Sequence, residues 1–241
     1  MTEGSANPKG VRPLDSIERR VLGTLIEKGK TTPDQYPLSL NALVTGCNQK
    51  SNRDPVMTLD EEQVTRAVTS LRSCGAMAEV FGSGKIPRYR HLAYEWLGVE
   101  KEELAILGEL LLRGEQSEGD LRGRASRMDP IPDLDALRGH LDRLAARGLV
   151  VWLSPPGRGR MLTHGLLPPE KLEKVRSQLG LVGGRMETSV GAPVDDEPVA
   201  DEQPVVPPPR ATEDLEARVA ELERRLVAAL ARLDALDGGG V

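Results

Sequence analysis

Apolar residues recur every three or four positions in two similar stretches of the chain, which predicts an amphipathic helix in each. These residues are Leu14, Ile17, Val21 and Leu25 in the first stretch and Leu104, Leu107 and Leu111 in the second. Each stretch contains a Leu-Gly pair and closes at a glycine, Gly29 or Gly114, which we expect just after the helix in the left-handed conformation. Asp15 and Glu18 form a capping box at the first helix. The chain therefore contains an internal repeat.

The same elements follow each of these helices. A short second helix is predicted over residues 39–47 and 117–125, and a third helix begins at Thr58, with Glu61 at N3, or at Asp133. The third helices are expected to bury Val64, Ala67, Val68 and Leu71 in the first copy and Leu134, Leu137, Leu141 and Leu144 in the second.

Two strands around a glycine-rich basic loop complete each copy. Gly75 and Gly148 end the third helices, and a final helix is predicted over residues 169–179. The predicted strands are 77–81 and 89–93 in the first copy and 149–153 and 161–164 in the second. Three helices followed by a strand, a loop and a strand are the order of a winged helix-turn-helix.

The predicted fold class is therefore mainly α with small β wings (α+β), built as two tandem winged helix-turn-helix domains. The predicted segments are a disordered N-terminus (1–12), the two winged-helix domains (13–97 and 98–180), a disordered linker rich in proline and acids (181–211) and a coiled-coil helix (212–237).

The C-terminal segment carries a heptad seam of about three repeats, the pattern by which two helices supercoil. Its apolar positions are Leu215, Val219, Leu222, Leu226, Ala229, Leu233 and Leu236. We expect a homodimer supported by this seam. The alternative is one amphipathic helix that packs on the rest of the chain.

Three runs of residues resemble the YceH-like family, a group of bacterial proteins of unassigned function. They are TTPDQYPLS (31–39), CNQKSNRDPVM (47–57) and the segment from Leu112 to Met128 that contains LRGEQ and LRGR. The resemblance covers residues 14–180 and extends to the heptad tail. It implies tandem winged helices and a dimer, and it implies no reaction, ligand or DNA sequence.

Composition narrows the function classes. The 241 residues include 32 Lys and Arg against 37 Asp and Glu, for a net charge of −5, and only six aromatic side chains. Few aromatics argue against a large β-sandwich or a base-stacking RNA-binding sheet. Neither a membrane span nor a signal peptide is apparent, so we expect a cytoplasmic protein. Residues 181–241 are acidic and the remainder is close to neutral, which neither supports nor excludes nucleic-acid binding.

Candidate contacts to DNA fall in three places. The exposed face of the third helix offers Gln63, Arg66 and Arg72, although Asp60, Glu61 and Glu62 at its start would repel phosphate. The wings carry Lys85, Arg88 and Arg90 in the first copy and Arg158 and Arg160 in the second. Wing arginines suit a narrow minor groove, and the alternative is a hairpin tip kept soluble by charge.

The third place is the segment 48–55, which is longer than a helix-turn-helix turn requires. Lys50 and Arg53 could bind a phosphate or an acidic partner, or the segment could be tied to nearby carbonyls as a structural loop. The histidines are isolated and no catalytic or metal-binding motif occurs, so we expect no enzyme, cofactor or metal.

Two function classes remain. The first is a dimeric DNA-binding regulator or nucleoid-associated factor that contacts double-stranded DNA through the wings and the 48–55 loop. The second is a non-enzymatic module that binds a protein partner through the winged helices and the coiled coil. The helix-turn-helix order favours the first class by a small margin.

Overall fold

A computed structural model of the chain describes residues 11–81 and 86–179, which form two successive halves with the same order of elements. In the first half the elements are α1 (Ser16–Thr31), a 3-10 turn (Pro33–Gln35), β1 (Leu38–Ser39), α2 (Leu40–Cys47), α3 (Glu61–Ser73), β2 (Met77–Phe81), β3 (Pro87–His91) and α4 (Ala93–Leu97). In the second they are α5 (Lys101–Arg113), β4 (Gln116–Ser117), α6 (Glu118–Ala125), α7 (Leu134–Ala146), β5 (Val150–Trp152), β6 (Met161–His164) and α8 (Pro169–Gln178).

Each half contains one small antiparallel sheet. The strand order is β1-β3-β2 in the first sheet and β4-β6-β5 in the second, so the last strand lies in the middle of both. The first hairpin, β2–β3, pairs Met77 with His91 and Phe81 with Pro87. The second hairpin, β5–β6, pairs Val150 with His164. The prediction of helices combined with small β-hairpins in both halves is confirmed.

Polar caps determine where most of the helices begin. Asp15 accepts hydrogen bonds from the amides of Ile17 and Glu18, which confirms the predicted capping box, and Ser39 and Ser117 cap α2 and α6. The predicted cap of α3 is wrong. Asp60, rather than Thr58, caps this helix, because its carboxylate accepts from the amide of Gln63 while the Gln63 side chain accepts from the Asp60 amide.

Several other predicted boundaries need correction. Gly29 lies inside α1, which continues to Thr31, whereas Gly75, Gly114 and Gly148 do adopt positive φ. Leu134 is exposed because it is the first residue of α7. The second strand of the first hairpin ends at His91, and the residues after it form α4, which the sequence did not predict. The two-residue strands β1 and β4 were also missed, because they are too short to show an alternating pattern.

The two halves pack through α1 and α5, and the repeated Leu-Gly pair explains how these helices meet. A Cβ atom on Gly23 would lie 2.9 Å from Leu112 Cγ, and one on Gly108 would lie 2.7 Å from Ile26 Cγ2. Each glycine therefore lets the partner helix approach closely. Leu22, Leu25, Ile26, Leu107 and Leu110 are fully buried around this contact. The repeated Leu-Gly pairs thus form a reciprocal interface between α1 and α5.

Several predicted features lie outside the described residues. They are the N-terminus before residue 11, Lys85 in the first basic loop, the linker 181–211 and the six heptad positions proposed for the dimer (Leu215, Val219, Leu222, Leu226, Leu233 and Leu236). Among the helices that the structure describes, none is both long and apolar enough to cross a membrane.

Candidate nucleic-acid interface

The first hairpin exposes two arginines on one face of its central strand. Arg88 and Arg90 alternate with Tyr89, which is buried, so both arginines point away from the core. Arg88 Nη1 donates a hydrogen bond to the carbonyl of Pro37 at 2.9 Å. Within residues 11–81 and 86–179, no carboxylate lies within 4 Å of either guanidinium. Both charges are therefore available to an external anion.

The second hairpin presents its two arginines in different ways. Arg158 is exposed in the turn between Gly157 and Gly159 and makes no hydrogen bond or ion pair with another described residue. The Arg160 guanidinium lies 3.5 Å from the centroid of the Trp152 ring, an arrangement typical of a cation–π contact. Its Nε donates to the carbonyl of Ser154. Arg160 is therefore held against the hairpin, and Arg158 is free at the tip.

The arginines of α3 are neutralised by their neighbours. Arg66 forms an ion pair with Glu62 one turn away (Nη1–Oε1 2.5 Å), and Arg72 forms one with Glu79 on β2 (Nη1–Oε2 2.5 Å). Gln63, which could have reached a base, is occupied in the helix cap. Glu61 and Glu62 are both exposed at the amino end of α3. This helix therefore presents little free positive charge.

The third helix of the second half, α7, is neutralised in the same way. Arg138 pairs with Glu118 at 3.1 Å, and Arg143 pairs with Glu103 at 2.9 Å. Arg147 donates to the carbonyls of Leu97 and Gly98. All three arginines are thus used to attach α7 to its surroundings.

The segment 48–55 is tied to the core through Arg53. This residue is only 4% exposed, and its Nη2 lies 2.7 Å from Oε2 of Glu27 on α1. It also donates to the carbonyls of Gly46 and Asn52. The structure therefore places Arg53 in the structural role that the sequence left open, and its guanidinium is not on the surface. Lys50, in contrast, is exposed.

Two further side chains fix this segment. Asn48 bridges its base, because its amide group both donates to the carbonyl of Leu59 (2.8 Å) and accepts from the Leu59 amide (2.7 Å). Arg20 of α1, which the sequence analysis missed, donates to the carbonyls of Cys47 and Pro55. Arg20 directly precedes the apolar pair Val21-Leu22 in a helix that is buried on nearly every face, and that position was the available signal.

Burial holds two of the histidines and Cys47 in their neutral forms. Burial lowers the pKa of His164 to about 3 and that of His91 to about 4, so both imidazoles are neutral near pH 7. Burial raises the pKa of the Cys47 thiol to about 11. In the part of the chain that the structure describes, no three His, Cys, Asp or Glu side chains converge as metal ligands would.

Comparison with known proteins gives a family without an assigned activity. Residues 14–158 match the family model described as "Protein of unknown function, DUF480". The chain is 52% identical over 178 residues to a UPF0502 protein of Rhodopirellula baltica, covering 72% of this chain and 74% of the relative. Its identity to a UPF0502 protein of Geotalea daltonii is 53% over 148 residues, which cover 60% of this chain and 68% of that relative. For a UPF0502 protein of Geobacter sulfurreducens the identity is 54% over 134 residues, which cover 56% of this chain and 61% of that relative.

Proposed function

The chain belongs to the DUF480 family of proteins of unknown function, and we propose that it binds double-stranded DNA through the arginines of its two hairpins. In this proposal each half is a winged helix-turn-helix domain, and the hairpins are its wings. The repeated order of three helices and a hairpin supports the assignment. So does the common strand order, in which the returning strand of the hairpin pairs with a short strand ahead of the second helix.

The observation that carries the proposal is the distribution of unpaired positive charge. The third-helix arginines Arg66, Arg72, Arg138 and Arg143 each have a carboxylate partner within 3.1 Å. Arg88, Arg90 and Arg158 on the hairpins have none among the described residues. A guanidinium already paired with a carboxylate gains less from a phosphate than a free one does, since the existing pair must be broken. DNA phosphates would therefore favour the hairpins.

This distribution of charge implies a particular mode of binding. A helix that reads bases in the major groove presents its amino-terminal residues to the base edges. In α3 those residues are Glu61 and Glu62, and Gln63 is held in the cap. We therefore expect contacts to phosphates and to the minor groove from the hairpins, with weak preference for sequence. Lys50, exposed between α2 and α3, is a further candidate phosphate contact.

A homodimer would double the number of these contacts. The heptad positions Leu215 to Leu236 remain the proposed dimerisation element and lie outside the described residues. Four hairpins in one dimer would bind a duplex more tightly than two, because the second protomer binds at a high effective concentration.

A second candidate function rests on the acidic start of α3. Glu61 and Glu62 are exposed, and exposed acids at the start of this helix would attract a basic protein partner and repel phosphate. In this alternative the chain is a non-enzymatic interaction module. It would bind no DNA at low salt, and charge changes on α3 would weaken the protein complex.

Fluorescence anisotropy with a labelled mixed-sequence duplex at low salt separates these functions. We expect the full chain with Arg88→Ala, Arg90→Ala and Arg158→Ala to bind at least about tenfold more weakly than the wild type, because three charge-assisted contacts are lost. The matched control carries Arg66→Ala and Arg138→Ala on the third helices and should bind within about twofold of the wild type. Equal losses in both variants, or no binding by the wild type, would contradict the proposal.

A further inference from the structure

A cleft of about 300 Å³ lies where the two halves meet, and the DNA-binding proposal does not use it. Residues from α1, from the segment 48–57, from the end of α5, from β6 and from α8 line it. Its polar lining includes Arg19, Arg20, Arg113, Thr163 and Lys171, and its apolar lining includes Met57, Leu111, Leu167 and Val175. The cleft is at the lower end of the size range of small-molecule sites and has their usual mixture of apolar walls and a few polar groups.

Buried polar atoms in this lining lack hydrogen-bond partners. Arg20 is 2% exposed and Thr163 is fully buried, yet Arg20 Nε and Thr163 Oγ1 find no acceptor or donor among the described residues. Arg113 Nε also has no hydrogen-bond partner among these residues. Glu109 Oε1 lies 3.6 Å from it, which is slightly beyond hydrogen-bonding distance. Leaving a buried polar atom unsatisfied is costly, so these atoms favour a polar group that enters the cleft.

The cleft also holds an excess of positive charge. Four cations, Arg19, Arg20, Arg113 and Lys171, face two acids, Asp54 and Glu115. In the described part of the chain, no carboxylate lies within 4 Å of the side-chain nitrogens of Arg19, Arg20 or Lys171. Arg20 donates only to the carbonyls of Cys47 and Pro55, and Arg19 contacts the neutral ring of His164. Burial lowers the pKa of both guanidiniums, and it outweighs the opposing effect of Asp15 and Glu115 on Arg19 and of Asp54 on Arg20.

We propose that this cleft binds a small organic anion, an apolar body that carries a phosphate or carboxylate group. Arg20 and Thr163 hold the anionic group at the buried end, Arg19 and Lys171 add charge at its sides, and Met57, Leu111 and Val175 contact the apolar body. Because α1, the 48–57 segment and α8 all contribute, the bound anion would connect both halves. The inference stands on the cleft alone and does not depend on DNA binding.

Phenyl phosphate is a suitable probe, with inorganic phosphate as the anionic group alone and benzyl alcohol as an uncharged aromatic control. We would titrate the full chain with each compound at constant ionic strength and follow the arginine Nε–Hε resonances by NMR. We expect saturable shifts of the Arg20 and Arg113 signals with phenyl phosphate, weaker binding of inorganic phosphate, and no shift with benzyl alcohol. Benzoate in place of phenyl phosphate shows whether a carboxylate serves as well as a phosphate.

Two variants and a matched control test the placement. Lys171→Glu should weaken phenyl phosphate about tenfold, because an attractive charge becomes repulsive. Thr163→Val should weaken it about fivefold without destabilising the free protein, because the hydroxyl it removes has no partner there. Lys174→Glu, one turn further along α8 and outside the cleft, should bind as the wild type does, and so should Arg158→Ala on the hairpin.

Three results would overturn the proposal. They are the absence of a saturable shift at Arg20 with either organic anion, equal weakening by Lys171→Glu and Lys174→Glu, and loss of the shift in Arg158→Ala. The last result would mean that the anion binds the hairpins. The titration and the DNA measurement can fail separately, since they use different residues and different ligands.

Discussion

The two halves of the molecule have the same order of elements but differ in the connection between the second and third helices. In the first half this connection is residues 48–60, and in the second it is the shorter 126–133. Both connections are anchored by an arginine that pairs with a buried glutamate of the half's first helix, Arg53 with Glu27 and Arg127 with Glu109. The ion pair is the same in kind, although the arginine of the longer connection is more deeply buried.

This difference in burial shows what the longer connection adds. The Arg53 side chain is fully buried, whereas that of Arg127 is 40% exposed. The first connection is thus folded against the core, where Asp54 donates its amide to the carbonyl of Leu112 in the second half. Asp54, Pro55 and Met57 then form one wall of the cleft. The extra length of the first half therefore contributes one wall of the cleft.

The largest expected difference between the halves is in stability. Arg53→Met should lower the free energy of unfolding by about 3–5 kcal/mol, because it leaves the buried Glu27 carboxylate with only Lys28, at 3.8 Å, as a charged neighbour. Arg127→Met should cost about 1 kcal/mol, since Arg127 is itself partly exposed and Arg113 still lies near the buried Glu109. Urea denaturation of both variants checks this prediction. Equal losses would show that the depth of the anchor does not matter.

The reciprocal glycine contact offers a second, smaller test. Gly108→Ala should destabilise the protein by about 1–3 kcal/mol, because the new methyl group would lie 2.7 Å from the Cγ2 atom of Ile26. Gly23→Ala should have a similar or slightly smaller effect, against Leu112. Gly123→Ala is the matched control, since it lies in helix α6 with open space around it and should be neutral or stabilising. Denaturation midpoints that are the same for all three variants would rule out a close crossing of α1 and α5.

The amino-terminal cap of α1 predicts a pH dependence. Burial opposes ionisation of Glu18, but hydrogen bonds from Arg12 and Ser70 outweigh it and lower the pKa of Glu18 to about 2. A lowered pKa stabilises the fold above the unfolded value of 4.5, and this stabilisation is lost as the pH falls from 4.5 towards 2. The loss should be roughly 1–2 kcal/mol, since Arg12 is partly exposed.

Glu18→Gln and Arg12→Met should both flatten this part of the stability profile, as measured by urea unfolding at a series of pH values. If the Glu18→Gln profile keeps the slope of the wild type over this interval, Glu18 is not the group responsible.

The smallest effect is expected between the arginines of the second hairpin. Arg158→Ala should weaken DNA binding about threefold to tenfold, whereas Arg160→Ala should weaken it less, because its guanidinium already lies on the Trp152 ring. Anisotropy with the same duplex measures both. A larger loss from Arg160→Ala would mean that Arg160 leaves the ring to contact DNA.

The repeated helical pattern could be predicted from the sequence, because it depends on local spacing. Leu-Gly pairs, capping residues and the glycines at positions 75, 114 and 148 marked most element boundaries. The two-residue strands β1 and β4 could not be found, since they exist only through pairing with β3 and β6, which are distant in the sequence. The cap of α3 was misplaced by two residues because Thr58 and Asp60 are both suitable caps.

The candidate sites were harder to predict, because a charge pattern does not show which charges are paired. Arg66 and Arg158 look alike in the sequence, and only the structure shows the Glu62 partner of the first. Arg53 looked available for a phosphate, yet it is buried in an ion pair with Glu27, which is distant in the sequence. The cleft was invisible for the same reason, since its lining residues come from segments as distant as residues 16 and 175.

The most direct test of DNA binding by the hairpins is the salt dependence of the affinity for duplex DNA. A plot of the logarithm of the binding constant against the logarithm of salt concentration has a slope of about −0.9 for each phosphate contact. We predict that replacing Arg88, Arg90 and Arg158 by alanine makes this slope less steep by about 2 to 3, and that replacing Arg66 and Arg138 leaves it unchanged. An unchanged slope in the hairpin variant, or a wild-type protein that does not bind at low salt, would contradict the account.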